Sequence, residues 1–332
     1  MNDNSNSPDQ FGQQIDNTVN EYKASAEKLV QANTYQEKED ALYTMHYVHA
    51  EDRKAGVKTL QIATDKKEVI NLRVKALQII GNYLYNNPAA VKKIIGLLSA
   101  TRENTKVKRA ALDALLAIRF ASPALLSQMP AFREGLRSII HDRDPELAAK
   151  AIEQLAAYND PGVLNLLHEG LKNPAVALAP EAKAIQLLGI QHTGGFSDTI
   201  RERLQKSRDT DVQIEAIHAL SGDPAAQDDI QNILENKSKQ KYVRLAGLSA
   251  LNATAPHKFL ESAKKIIGDP SDYNDVKVAS LNAIAMQGRY NEISGDAEFL
   301  DQVKSLTGHD NAIVRKESSN FLAGHESYLE NA

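Results

Sequence analysis

The chain of 332 residues has no cysteine and no tryptophan. Without cysteine, disulfides, thiolate nucleophiles and cysteine-ligated zinc are all excluded, and redox chemistry leaves no mark of compartment. Nowhere is there the run of about 18 apolar residues that a membrane-crossing helix needs. The opening MNDNSNSPDQ has neither a basic residue nor the apolar stretch of a signal or transit peptide. A soluble, cytoplasmic protein without a membrane association is therefore expected. Long alternating runs of valine and isoleucine are also missing, which together with 11 prolines leaves little room for a sheet.

Motifs that carry chemistry are equally scarce. His168-Glu169 and His325-Glu326 lack the second histidine of H-E-x-x-H, no G-x-S-x-G is present, and Gly194-Gly195 is not part of a phosphate-binding glycine pattern. His46 and His49 are three apart and would share a helix face, but no third ligand is spaced to complete a metal site. With Tyr43 and Tyr47 nearby, a surface or end-cap contact of tyrosine and histidine is the expected role of this cluster. Asp142, Asp144, Glu146 and Glu153 fall at positions 1, 3, 5 and 12 of a calcium loop, yet Leu147 stands where that loop needs glycine. Asp144 followed by Pro145 and Glu146 is instead a helix start. The sequence thus points away from an enzyme, with no catalytic residue, metal or cofactor assigned.

What the chain has is recurrence. In the segment 104–118, NTKVKRAALDALLAI, Val107, Ala111, Leu112 and Leu115 form one apolar helical face and Asp113 lies opposite. The pattern returns as LRVKALQII from Leu72, VQIEAIHAL from Val212, VRLAGLSAL and VKVASLNAI. Counting Val107 as position 1, the small residue at position 5 recurs at Ala41, Ala76, Ala111, Ala151, Ala184, Ala216, Gly247, Ser280 and Ser318. Successive spacings of 31 to 40 residues hold two helices and a turn, a unit that buries its apolar face only against its neighbours. Asn104, Asp144, Asp209 and Asn311 each stand three before position 1, where a helix cap belongs.

This alternation of a looser apolar helix with a Val-(Arg/Lys)-x-x-Ala-Leu-x-Ala-Leu helix resembles the HEAT repeat family. The spacing in the middle of the chain is similar to the short HEAT-like repeats of bacterial proteins, including those of phycobilin lyases. The resemblance covers about residues 35–324 and implies an all-α superhelix, a solenoid of about nine antiparallel helix pairs. The expected organisation is a disordered tail over 1–10, then a single solenoid over 11–332 that begins with a capping helix at 11–32.

At 100° per residue, position 7 lies opposite the buried arc. It is occupied by Tyr43, Gln78, Asp113, Glu153, Gln186, His218, Ser249, Asn282 and Asn320, all polar or polar-tipped. In HEAT-like proteins the second helix of each pair lines the concave surface, so the resemblance implies that the first eight of these face a groove suited to a protein or peptide partner. Position 2 is Lys38, Arg73, Lys108, Arg244, Lys277 or Arg315 in six copies, at the edge of the buried arc. In the family such a cation pairs with an acidic residue between the helices of a neighbouring repeat. Ala148, Glu181 and Gln213 depart from the pattern, so a ladder of this kind should be broken in repeats four to six.

Charge is uneven. Residues 54–109 hold twelve Lys or Arg against three Asp or Glu, a net of +9, in a chain whose total is −4 and whose remainder is therefore −13. This block is read as repeat-to-repeat pairing on a solvated face, or alternatively as a site for nucleic acid or another polyanion through Lys75, Lys92, Lys93, Lys106 and Arg109. The leading expectation is a non-enzymatic protein-binding scaffold. The alternative is the polyanion binder, with or without an activity of the kind some HEAT-like solenoids carry. The absence of tryptophan and cysteine weakens the analogy to the solenoids that act on nucleic acid or bilins.

Overall fold

The computed structural model describes the backbone of residues 8–190, 195–286 and 288–331. Among these residues the protein is an all-α solenoid with no strand. It divides into two compact units, one ending at Tyr158 and the other beginning at Asn159. Asn159, just past the helix Pro145–Ala157, takes φ 54, the left-handed conformation that asparagine tolerates at the end of a helix.

In the first unit the helices form two layers. One holds the first helix of each pair, Pro8–Gln31, Arg53–Thr64, Pro88–Ser99 and Met129–Arg137. The other holds the second helices, Tyr35–Thr44, Ile70–Ile79, Thr105–Ala117 and Pro145–Ala157, each packed on the one before it. The second unit repeats the scheme. Its first helices are Pro161–Lys172, Ser197–Lys206, Gln227–Glu235, Pro256–Gly268 and Ala297–Ser305, and its second helices Glu181–Gly189, Thr210–Leu220, Lys241–Thr254, Asn274–Met286 and Ala312–Asn331. The two longest spacings, before Ala151 and before Ser318, hold extra short helices, Pro123–Ser127 and Tyr290–Ile293, ahead of the first helix of the pair.

Burial follows the sequence phase. Val107, Ala111, Leu112 and Leu115 have no exposed surface, as do Leu72, Leu77 and Ile80 one repeat earlier. Where serine occupies position 5, its hydroxyl is satisfied locally: Ser280 and Ser318 donate to the carbonyls of Val276 and Val314, each at 2.8 Å. The expected caps are formed. Asn104 accepts from the Lys106 amide, Asp144 from Glu146 and Leu147, Asp209 from Asp211 and Val212, and Asn311 from Ile313 and Val314.

Three expectations need correction or placing. The first helix begins at Pro8, within the expected disordered tail, because proline suits the first turn of a helix; residues 1–7 and Gly194 lie outside the described residues. His46 and His49 do not share a helix face, since the helix stops at Thr44 and Met45 is extended with its side chain buried. His49 instead packs edge-on against Tyr22 of the first helix at 4.0 Å between centroids and against Tyr47 at 5.0 Å. Tyr22 Oη donates to Asp52 and accepts from the His49 amide; burial, partly opposed by that amide, pushes its pKa up to about 12.

Candidate functional site

Position 2 explains how the pairs are held in register. Arg73 Nε donates to the Ala63 carbonyl at the end of the first helix of its own pair, and its two terminal nitrogens grip Glu103 of the next repeat at 2.8 Å each. Arg244 does the same, with Leu234 and Asp272, and its side chain has no exposure at all. Lys38 pairs with Glu68, and Lys108 with Asp142 at 3.2 Å. Burial alone would raise the pKa of Glu103, but Arg73 and the Asn104 amide outweigh it and hold the carboxyl below its usual value.

The ladder is absent where the sequence departs from the pattern. Gln213 keeps only the inward half of the task, donating to the Ser207 carbonyl at 2.8 Å. At the far end the family pattern fails in a way the sequence did not indicate. Arg315 takes the carbonyls of His309 and Asp310, while Lys277 is fully buried with no hydrogen-bond partner for Nζ among the described residues. Desolvation lowers the pKa of Lys277, and the nearby carboxylates of Asp272 and Asp269 only partly oppose it.

The position-7 side chains are all solvent-facing in whole or in part. Tyr43, Gln78, Asp113, Gln186, His218, Ser249 and Asn320 are exposed, and Glu153 and Asn282 half-buried. In the first unit two of them meet. Gln78 and Asp113 line a cleft of 760 Å³ between the helices Ile70–Ile79 and Thr105–Ala117. Its apolar floor comprises Val74, Leu77, Gly81, Ala110, Ala114 and Ala117, and its polar rim includes Asn104, Lys106, Arg109 and Asp144. Tyr43 lies one repeat before, with the Lys75 ammonium 5.1 Å from its ring centroid. Glu153 is outside the cleft. In the second unit Gln186 accepts from Lys183 on its own helix, and a separate cleft at Leu188, Phe196 and Ala219 contains none of the row.

The floor residues were missed in the sequence, although a signal existed: Ala110, Ala114 and Ala117 flank Asp113 at helical spacing, where larger side chains would fill the space.

The basic set is scattered. Arg109 pairs with both Asp144 and Glu146, and Lys150 reaches Asp113 at 2.9 Å, so the rim is crossed by a neutralising network between repeats three and four. Lys106 is on the rim, whereas Lys92 and Lys93 are exposed on Pro88–Ser99 in the other layer. Asp142 and Asp144 are likewise engaged, with Lys108 and Arg109, and among the described residues no group of three or more His, Asp or Glu is placed to hold a metal ion. No helix among them is long and apolar enough to cross a membrane.

No protein-family model and no curated protein matches the chain. Among solved structures, human deoxyhypusine hydroxylase in complex with glycerol aligns at 17% identity over 82% of this chain and 96% of its own, with a TM-score of 0.30. A chain from a structure described as "A conserved phosphorylation switch controls the interaction between cadherin and beta-catenin in vitro and in vivo" aligns at 13% identity over 90% of this chain and 68% of its own, with a TM-score of 0.37. Neither carries a function to this chain. The all-helical architecture is compatible with a HEAT-like fold.

Proposed function

We propose that the protein is a non-enzymatic, cytoplasmic binding scaffold of the short HEAT-like kind, which takes a polypeptide partner along the position-7 row of its second helices. The observation that supports this most is the cleft at Gln78 and Asp113. An apolar floor of Val74, Leu77, Gly81 and three alanines accepts one side-chain anchor, and amide and carboxylate groups on the rim hydrogen-bond the chain that carries it. The row then continues the contact through Tyr43 on one side and Glu153 on the other, with Gln186, His218, Ser249 and Asn282 offering the same chemistry in the second unit.

The experiment is selection of binding peptides from a random display library on the intact protein, followed by affinity measurement with the double variant Gln78→Ala, Asp113→Ala. The proposal expects enriched peptides that lose at least tenfold in affinity on that change and keep most of it in high salt. Selection without enrichment, or peptides indifferent to the double variant, would reject it. Tight binding of a generic duplex, lost on reversal of Lys75 and Lys106, would favour the polyanion reading instead.

A further inference from the structure

The ladder has a consequence for the surface it leaves behind. Glu68, Glu103 and Asp142 all lie in turns between the two helices of a pair, in repeats two, three and four, and each is drawn inward to a position-2 cation of the preceding repeat. Their side chains are 18%, 2% and 14% exposed. The cations of the same turns are not drawn in. Lys66, Lys67, Arg102 and Arg143 are exposed and have no ion-pair partner among the described residues. Lys66 still influences Glu103 electrostatically, which sets the turn of repeat two beside that of repeat three. The one exposed carboxylate in these turns, Asp65, accepts from the Lys67 amide.

We infer that this edge of the first unit is a second docking surface, distinct from the cleft, for an extended acidic polypeptide segment. Neighbouring pairs pack about 8 to 10 Å apart, so three turns span about 20 Å. An extended chain covers that in about seven residues, and carboxylates at alternate residues share the one face turned towards the three turns. Val69 and Ile70, 49% and 37% exposed beside Lys66 and Lys67, add an apolar contact for such a segment. A nucleic acid fits less well. The only exposed ring among the described residues of these turns is the small imidazole of His141, with no phenylalanine or tyrosine to stack on bases, and the rest of the chain, at −13, repels a long polyanion. The strip ends with the unit, since the corresponding turn of repeat five, residues 173–180, has no charged residue.

The test is fluorescence anisotropy with a labelled seven-residue peptide of alternating glutamate and valine, against the full chain. The expected result is saturable binding that weakens as salt rises, and at least a tenfold loss in Lys66→Glu, Lys67→Glu, Arg102→Glu, Arg143→Glu. The milder glutamine set should lose part of it, and the Gln78→Ala, Asp113→Ala cleft variant none, which separates this surface from the cleft. All four positions are exposed and outside the ladder, so circular dichroism should be unchanged. Binding that is absent at millimolar peptide, or unaffected by the reversal, would overturn the inference. So would a labelled twelve-base-pair duplex that binds more tightly than the peptide and is lost on the same reversal.

Discussion

The most searching test of how the repeats are held together is the rung between Arg244 and Asp272. The two side chains are 0% and 4% exposed, joined by paired hydrogen bonds, one of them 2.8 Å, and Arg244 Nε also donates to the Leu234 carbonyl at 2.6 Å. Asp272→Ala leaves the guanidinium buried with that carbonyl and the Tyr273 ring, whose centroid is 5.7 Å away. Breaking a buried pair from one side costs about 3 to 5 kcal/mol, because the remaining charge has lost both water and partner. Adding Arg244→Met removes the stranded charge. The double variant should therefore be more stable than Asp272→Ala alone, by about 1 kcal/mol or more. Urea unfolding followed by far-ultraviolet circular dichroism measures both steps. A loss below about 1 kcal/mol for Asp272→Ala, or strict additivity of the two changes, would refute the claim that this position ties one repeat to the next.

Three other outcomes are expected. Leu112→Ala should cost about 2 to 5 kcal/mol and Asp113→Ala less than about 1, since the first is fully buried and the second half exposed; similar losses from the two in denaturant titrations would mean the helix phase is misassigned. Lys277→Met should stabilise by about 1 to 3 kcal/mol. Because burial lowers the folded-state pKa of Lys277 below its unfolded value, the unfolded chain binds more protons in that interval, so wild-type stability should rise with pH from the lowered value up to about 10.4. The methionine variant should lose that component of the rise in thermal melts taken across the interval, and an identical pH profile would contradict the assignment. Deletion of residues 210–240 joins the Asp209 cap directly to the helix Lys241–Thr254 in register and should leave a shorter, fully helical protein. Loss of its helical circular dichroism would argue for a closed domain rather than a stack.

What the sequence conveyed is what a single helix determines about itself. Val107, Ala111, Leu112 and Leu115 share a face whatever their neighbours are, so the phase, the caps at Asn104 and Asp209 and the outward row were all readable. The break in the ladder at Ala148, Glu181 and Gln213 was readable for the same reason, because a residue without a cationic head forms no rung of this kind. Features that depend on lateral approach were not. The partners of Arg109, Asp144 and Glu146, belong to the next repeat, and the cleft is lined jointly by two neighbouring helices, which no single helix reveals. Lys277 looks like every other position-2 cation in sequence, but the carboxylate nearest it, Asp272, is gripped by Arg244, and Asp310 in the turn of the next repeat faces solvent. The contact of tyrosine with histidine expected around His49 is formed with Tyr22 and Tyr47, but the helix face assigned to His46 and His49 was misread because the helix period was carried past Thr44, where a buried Met45 leaves the helix.

The central claim is that a polypeptide docks on the outward row of the second helices, and hydrogen exchange of the protein with and without a selected peptide tests it most directly. Slowed exchange centred on residues 74–81 and 104–117 and spreading only to other second helices of the row, with the first-layer helices Arg53–Thr64 and Pro88–Ser99 unchanged, is the predicted footprint. Protection that falls on those first-layer helices, or that leaves 104–117 untouched, would contradict it.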